Sequence, residues 1–252
     1  MPSGNHPVDP VDASEPTYES WLSIARTLTV AGRFDEALAA CQQAITLAPG
    51  VIDAYCEKGF ILSHNWWGRE EAPEPAYEQG LALCEEALLR EPAQISLWEK
   101  MGDILCSLNR EAEALAAYEA LVRLAPHEPG SYCTKANVLF YFGRDADGSA
   151  VYAQALQLAP GNTEVYRRLA RSLQMRLHFD EALTVCAQAL ALQPDEAATY
   201  ALKSSILWET MHYEESLAAI EEAIRLAPGN PSYVADKGML LCYLPEARQV
   251  EE

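Results

Sequence analysis

Three arginines stand close together on a chain that is poor in cations. Arg167, Arg168 and Arg171 lie within five residues, whereas the 252-residue sequence holds 18 Lys and Arg against 37 Asp and Glu. Arg167 and Arg171 are four residues apart, so they share one face if this stretch is helical. A guanidinium is a planar fork of donors that matches a carboxylate or a phosphate. The cluster therefore predicts a site for an acidic or phosphorylated peptide.

The alternative is that these arginines are ordinary surface charge. Glu164 precedes Arg167 by three residues and Arg168 by four, which is the spacing of a helical ion pair worth a few tenths of a kcal/mol when exposed. The positions 34 residues before and after Arg167 and Arg171 hold no acid; they are Cys133, Asn137, Ala201 and Ser205. At least one arginine therefore has no obvious partner.

Aromatic residues offer a second candidate set. Phe140, Tyr141 and Trp208 could clamp an apolar side chain while the amide of Asn137 bonds a peptide backbone. Aromatic residues at helical spacing are more often part of a core, and that alternative stays open. Trp66 and Trp67 either extend a helix and tuck under a loop or form an exposed contact with a partner, since Trp is frequent in binding hot spots.

Signatures of catalysis and of cofactor binding are missing. The sequence contains no G-x-G-x-x-G, G-x-x-x-x-G-K-[ST], G-x-S-x-G or H-E-x-x-H motif. Its five His are scattered, and none of the seven Cys forms a C-x-x-C pair, so neither a zinc site nor a disulfide framework is indicated. We expect no enzyme, no cofactor and no metal.

Composition indicates the fold class and excludes some partners. Abundant Ala, Leu, Glu and Gln, with no alternating apolar run, predict an all-α chain. The formal net charge of −19 describes an acidic protein that repels nucleic acid and anionic membranes. No apolar run approaches the length of a membrane span, and we expect a cytoplasmic protein.

Prolines divide the chain at regular intervals. They fall at residues 49, 92, 126, 160, 194 and 228, with gaps of 43, 34, 34, 34 and 34. A fixed period of this length indicates stacked units of two helices. We number positions within a unit from its first residue and call them places. Place 11 is always leucine: Leu28, Leu62, Leu105, Leu139, Leu173, Leu207 and Leu241.

Place 4 is large, with Trp, Tyr or Val, and places 8 and 20 are small, with Gly, Ala or Ser, where place 20 of the longer second repeat is counted back from its proline. These columns resemble the tetratricopeptide repeat family over residues 17–243. The resemblance implies a right-handed α-solenoid of six helix-turn-helix repeats and a capping helix. The predicted repeats are 18–51, 52–94, 95–128, 129–162, 163–196 and 197–230, with the capping helix at 231–243. Gly148 at place 20 is expected to weaken the second helix of repeat 4.

The segments at either end carry separate expectations. Residues 1–16 are rich in proline and polar residues and predict a flexible segment, and residues 244–252 form a short acidic tail. Val234, Gly238 and Leu241 of the capping helix are expected to pack against repeat 6. Met239, Leu240 and Tyr243 would then stay uncovered and could join two copies into a homodimer.

The resemblance implies a non-catalytic scaffold or adaptor. In such proteins a peptide or partner segment lies in a concave groove lined by places 2, 5, 9, 12 and 13 of the first helices. Here the expected contact region is repeats 4 to 6. The lysine and asparagine pattern by which members of the family hold chaperone tails is missing from every window. Two alternatives stay open: an assembly protein that acts through its last helix or outer face, and a regulatory subunit of an enzyme complex.

Overall fold

The computed structural model describes residues 16–64 and 71–250, and it contains 13 α-helices and no strand in these ranges. The prediction of an all-α helical-repeat solenoid is confirmed. No helix in these ranges has the length and the hydrophobicity that crossing a bilayer requires. Residues 1–15, for which flexibility was expected, and the two tryptophans Trp66 and Trp67 lie outside the described residues.

Helices alternate between first and second members of a pair. The first helices have 13 residues each and begin where the predicted repeats begin: α1 (Tyr18–Val30), α3 (Ile52–His64), α5 (Ile95–Ser107), α7 (Pro129–Tyr141), α9 (Thr163–Met175) and α11 (Ala197–Glu209). The second helices are α2 (Phe34–Leu47), α4 (Glu74–Arg90), α6 (Glu111–Leu124), α8 (Asp145–Leu158), α10 (Phe179–Leu192) and α12 (Tyr213–Leu226). The last helix is α13 (Pro231–Val250).

Two compact units divide the chain, Met1–Ala117 and Tyr118–Glu252, with the boundary inside α6. In the first unit, small residues let helices approach closely. A Cβ on Gly59 would lie 2.7 Å from the ring of Tyr77, so only glycine allows this contact between α3 and α4. Cys41 on α2 is fully buried, and its thiol donates to the carbonyl of Ala54 on α3 at 2.9 Å.

In the second unit, small residues at the same places make different contacts between helices. On α8, a Cβ added to Gly148 would lie 3.1 Å from the carbonyl oxygen of Ala136 and from the ring of Phe140. Glycine therefore makes room for that ring, a role that its low helix propensity did not indicate. Between α11 and α12, the hydroxyl of Ser204 donates to the carbonyl of Ser216 at 2.9 Å, and Ser216 donates back at 2.8 Å.

The turn after a first helix has one recurring feature. Place 15 has a positive φ at Gly32, Asn109, Gly143, Leu177 and Met211, with values between 55° and 75°. This left-handed conformation ends a helix and favours glycine or asparagine. The two larger side chains in repeats 5 and 6 accept some strain to keep the same turn, so the geometry of the helix pair is set by packing more than by the turn residue.

Helix α13 differs from its prediction in length and in orientation. It continues to Val250 instead of ending at residue 243. Leu240 is 3% exposed and packs in the core with Tyr233 nearby, whereas Val234 and Leu241 are 54% and 48% exposed. The expectation that places 4, 8 and 11 of this helix are the covered ones is therefore wrong. Those places pack against the second helix of their own repeat, and in the described residues no helix follows α13.

Candidate functional site

Helices α7 and α9 enclose a cavity of about 680 Å³ in the second unit, the α7–α9 cavity. The residues that line it are Asn137, Phe140, Tyr141, Glu164, Arg167, Arg168, Arg171, Ser172, Met175 and Arg176. Six of the seven side chains predicted for the groove are thus brought together, and Trp208 is not among them. Contact of these side chains with a partner stays a prediction.

Capping side chains set where the two helices begin. The carboxylate of Glu128 accepts a hydrogen bond from the N–H of Gly130 at 3.3 Å, and Pro129 occupies the first turn of α7. At the start of α9, the side-chain oxygen of Asn162 accepts from the N–H of Glu164 at 3.0 Å. With both starts defined and the two helices in contact, places 9, 12 and 13 of α7 line the cavity together with places 5, 6 and 9 of α9.

Arg167 is already neutralised within the protein. Its guanidinium pairs with Glu164, as the sequence allowed, and its Nε lies 3.3 Å from a carboxylate oxygen of Glu196. That carboxylate also accepts a hydrogen bond from the hydroxyl of Thr163 at 3.0 Å and another from Thr199. The side chain of Arg167 is 25% exposed. We therefore assign it to the wall of the cavity and not to the group that captures a ligand.

Arg168 and Arg171 carry charge that no described acid balances. Arg168 donates to the hydroxyl of Thr134 at 3.1 Å, a neutral acceptor, and forms no ion pair within the described ranges. Arg171 is exposed and makes neither a hydrogen bond nor an ion pair with any residue that the structure describes. Of the lining residues, Glu164 is the one acid, and it is engaged by Arg167. The cavity is therefore rich in free donors.

The buried hydroxyl of Tyr152 fixes the orientation of the Asn137 side chain. Tyr152 on α8 is fully buried, and its hydroxyl donates to the side-chain oxygen of Asn137 at 2.5 Å. Ser172 on α9 donates to the same oxygen at 2.6 Å. Burial raises the pKa of Tyr152 to about 12, so its hydroxyl stays a neutral donor. With its oxygen occupied, Asn137 is left with its amide N–H groups as donors toward a ligand.

The aromatic residues of the cavity have different roles. Phe140 is 3% exposed, and its ring centroid lies 6.0 Å from that of Tyr152, so the core alternative holds for Phe140. Tyr141 is 63% exposed and rests edge-on against Phe142 at 5.0 Å. Of this pair, Tyr141 is thus the ring that a ligand can reach.

Trp208 lies outside the α7–α9 cavity. It lines a second cavity of about 190 Å³ between α11 and α13, the α11–α13 cavity. Its ring contacts Tyr213 and Tyr243 edge-on, with centroid distances of 5.2 and 4.9 Å. The expected clamp of Phe140, Tyr141 and Trp208 is therefore not formed as one pocket.

Comparison with known families decides what kind of chain this is. Three family models described as tetratricopeptide repeat match it, over residues 11–52, over residues 146–206 and over two stretches, 95–128 and 197–230. The chain belongs to the tetratricopeptide repeat family. No sequence among the curated proteins matches it.

Solved structures of tetratricopeptide repeat proteins share the fold. Yeast Tom70 superposes with a TM-score of 0.58 at 18% identity, over 93% of this chain and 49% of that one. A tetratricopeptide repeat protein from Parabacteroides merdae gives 0.51 at 12% identity, over 91% and 86%. The chain thus spans about half the length of Tom70, and at these identities the likeness shows the fold alone.

The tetratricopeptide repeats of the first unit contain a smaller cavity of about 260 Å³ between α3 and α5. Its charged groups are paired. Arg26 lies 3.3 Å from a carboxylate oxygen of Glu57, and Lys100 pairs with Asp53. Phe60 is 45% exposed there and contacts His64 in a tilted arrangement, with ring centroids 4.0 Å apart. We find no free cation among the described lining residues.

Two lining residues were not predicted because they lie outside the groove places of a tetratricopeptide repeat, and the supporting Tyr152 was not predicted because it comes from a second helix. Arg176, at place 14, lines the cavity and donates to Asp145 at 3.1 Å. Ser172 is at place 10, between two expected places. Tyr152 was detectable: it stands eight residues before Pro160, where repeats 1, 2 and 5 carry a small cysteine.

Burial makes four thiols of these repeats poor nucleophiles. Burial raises the pKa of Cys41, Cys56, Cys106 and Cys186 to about 12, so they stay protonated at neutral pH. Among the described residues, no three His, Cys, Asp or Glu side chains are grouped closely enough to hold a metal ion. What the arrangement offers is binding through hydrogen-bond donors and positive charge.

Proposed function

We propose that the chain is an interaction scaffold that holds a segment of a partner protein in the α7–α9 cavity, and that the segment presents a carboxylate or a phosphate. Tetratricopeptide repeat proteins in general bind protein or peptide partners and are not catalysts. The observation that carries the proposal is Arg171, which is exposed on the cavity wall without an acid to pair with.

The rest of the lining supports the same chemistry. Arg168 and the amide of Asn137 point donors toward the space that Arg171 faces, and Tyr141 offers an exposed ring for a neighbouring side chain. A volume of about 680 Å³ falls in the usual range for ligand pockets. The chain as a whole is strongly negative, so an acidic ligand is repelled elsewhere and attracted at this cluster.

A displayed library of random decapeptides, with and without phosphorylated serine, tests the proposal on the immobilised chain. We expect enrichment of acidic or phosphorylated peptides, and the two library versions separate the two sources of negative charge. In titrations with an enriched, fluorescently labelled peptide, Arg171→Glu should weaken binding about tenfold to a hundredfold, since a hydrogen bond to a charged group is lost.

Arg225→Glu is the matched control. It makes the same change of charge on α12, where Arg225 pairs with Glu222. This control should bind like the unchanged chain, and circular dichroism should show all three proteins folded. Enrichment of neutral peptides, or equal affinity of Arg171→Glu and the unchanged chain, would remove the proposal.

A second candidate function, assembly of two copies through α13, is favoured by the exposed face of that helix. Val234, Gly238 and Leu241 hold the packing places 4, 8 and 11, yet a Cβ on Gly238 would meet no atom within 4 Å. Sedimentation velocity over a hundredfold range of concentration tests it, with Val234→Glu as the disrupting variant. A monomer at every concentration would exclude assembly through this face.

A further inference from the structure

The α11–α13 cavity repeats the position of the α7–α9 cavity two repeats along the chain. Both lie between successive first helices and both use places 9 and 12 of the earlier helix with places 6, 9 and 10 of the later one. The residues that correspond are Asn137 and Ser205, Phe140 and Trp208, Arg168 and Asp236, Arg171 and Met239, and Ser172 and Leu240. The two cavities are built on the same helix places, but Arg168 and Arg171 of the α7–α9 cavity are replaced by an acid and a methionine in the α11–α13 cavity.

Asp236 is the one charged side chain among the described residues that line the α11–α13 cavity. It makes no hydrogen bond or ion pair with a side chain that the structure describes. Its sequence neighbour Lys237 pairs instead with Glu221 of α12, at 2.8 Å. The carboxylate is therefore without a cationic partner.

The cavity itself offers Asp236 no hydroxyl donor. Ser204 and Ser216 donate to each other's backbone carbonyls, and Ser205 donates to the carbonyl of Leu202 at 3.0 Å. Each of these hydroxyls has a single hydrogen, which is thereby committed. A donor for Asp236 must come from outside the described residues.

The walls fit a long side chain that ends in a positive charge. Trp208, Met239 and Leu240 provide apolar surface against which the methylene stem of lysine or arginine packs while its charged end reaches Asp236. A cation near the indole ring gains further attraction. A purely apolar side chain would instead cover the carboxylate without replacing the water it loses, which is unfavourable.

We propose that the α11–α13 cavity binds a lysine or arginine of the same peptide whose acidic group lies in the α7–α9 cavity. This inference rests on the proposed function and adds a basic residue at a defined distance from the acidic one. The peptide is recognised as a charge pair, which also fixes its direction along the row of first helices.

Helix spacing gives the distance between the two charges. Neighbouring helices pack at about 8–10 Å, so two steps from one cavity to the next cover about 16–20 Å. An extended chain rises about 3.3 Å per residue. The basic residue therefore lies about five or six positions from the acidic one. Between them, Gln174 of α9 bonds Ser205 of α11 at 3.1 Å and keeps the intervening helices together.

A library in which one acidic residue is fixed and the flanking positions are random tests this spacing on the intact chain. We expect lysine or arginine to be enriched about five or six positions away on one side. With Asp236→Asn that enrichment should vanish while the acidic residue is still required, and Asp236→Lys should replace it with enrichment of Asp or Glu. Glu215→Gln removes the same charge from an exposed position of α12 that pairs with no described residue, and it should change nothing.

Titration of an enriched peptide then measures the contact directly. Replacing its lysine by norleucine should weaken binding about threefold to thirtyfold in the unchanged chain and leave it unaltered in Asp236→Asn. Enrichment of apolar residues, no preference at that distance, or equal loss in both proteins would overturn the inference. In those outcomes sensitivity to Arg171→Glu still supports the α7–α9 site, whereas binding that is insensitive to Arg171→Glu, or no enrichment at all, removes both.

Discussion

Lys100 in the first unit and Arg168 in the second occupy the same place, the sixth of a first helix, but their surroundings differ. Lys100 pairs with Asp53, which is at place 2 of the preceding repeat. The residue at place 2 before Arg168 is Gly130, and the guanidinium turns to the hydroxyl of Thr134. An acid that closes the first cavity is thus missing from the second.

The acid beside the cation at place 9 is also present in the first unit and missing from the second. Arg26 of α1 pairs with Glu57, at place 6 of the following repeat. For Arg171 of α9 the corresponding residue is Leu202, which is buried in the core. Comparison of the two cavities shows that a cation on the inner face does not by itself indicate a binding site. The informative feature is the loss of the acid that the repeat would otherwise place beside it.

Aromatic residues differ between the cavities in the opposite sense. Phe60 in the first unit is 45% exposed, whereas Phe140 in the second is 3% exposed. Phe140→Ala should therefore lower the free energy of unfolding by about 3–5 kcal/mol, as for other buried phenylalanines. Phe60→Ala should cost about 1 kcal/mol or less because much of that ring remains in water. Urea unfolding followed by circular dichroism measures both, and equal losses would contradict the contrast.

Restoring the missing acid should convert the second cavity toward the first. A Cβ on Gly130 would lie 3.7 Å from the nearest guanidinium nitrogen of Arg168, so Gly130→Asp places a carboxylate where Lys100 has one. We expect binding of an acidic peptide to fall about tenfold to thirtyfold, because an internal anion then competes for the guanidinium. Fluorescence anisotropy of the labelled peptide checks this.

Gly130→Asp should lose up to about 1 kcal/mol of stability, because a Cβ there would lie 3.3 Å from the Glu128 carboxylate that caps α7, although an acid is otherwise favourable in the first turn of a helix. Gly229→Asp, in an open turn where a Cβ meets no atom within 4 Å, is the matched control and should bind normally. Unchanged affinity of a folded Gly130→Asp protein would show that Arg168 takes no part.

The helix pairs were predictable because their signals are packing signals. Proline spacing and the leucine at place 11 depend on contacts that every repeat makes, so the starts of the first helices follow from the period. Helix α13 was mispredicted at Val234 and Leu241 for the same reason. A residue type that recurs at one place of every repeat indicates packing against the second helix of the pair. It does not indicate whether that second helix is present.

The sequence indicated which residues form the candidate site, but it did not indicate which of their charges are paired within the protein. Arg167, Arg168 and Arg171 stood out together, yet only the structure separates them. Arg167 forms an ion pair with Glu196, 29 residues later in the sequence, and Arg171 pairs with no described residue. Tyr152 supports Asn137 from a second helix, where the groove places give no indication. Such contacts depend on side-chain length and direction across helices, which periodicity does not encode.

Alkaline pH should destabilise both units through the buried groups eight positions before the closing prolines. Burial raises the pKa of Cys41 from 9.0 to about 12, and that of Tyr152 from 10.0 to about 12. Above these starting values the unfolded group ionises while the folded one stays protonated, so the unfolded state is favoured as pH rises. Both units should therefore begin to lose stability near pH 9, because Cys186 of the second unit is shifted like Cys41, and Tyr152 should add a further loss in the second unit above pH 10.

For Cys41 the loss amounts to about 1.4 kcal/mol at pH 10, one pH unit above the unfolded pKa. Urea unfolding under reducing conditions at pH 8 and pH 10 measures it. Cys41→Ala should abolish this part of the pH dependence, whereas Cys242→Ala, which changes an exposed thiol, should retain it. The same slope in both variants would assign the alkaline loss to other groups.

Opening the first cavity should have the smallest effect. The Lys100 and Asp53 side chains are 37% and 43% exposed, and a pair so accessible to water contributes less than about 1 kcal/mol. Asp53→Asn should therefore leave urea unfolding almost unchanged while it frees a cation at the place that Arg168 occupies. Weak, salt-sensitive binding of acidic peptides to this variant, absent in Asp53→Asn/Lys100→Gln, would show that loss of the acid is what creates such a site. If Asp53→Asn acquires no such affinity, an uncompensated cation at place 6 is insufficient, and the orientation of Asn137 by Tyr152 must supply the rest.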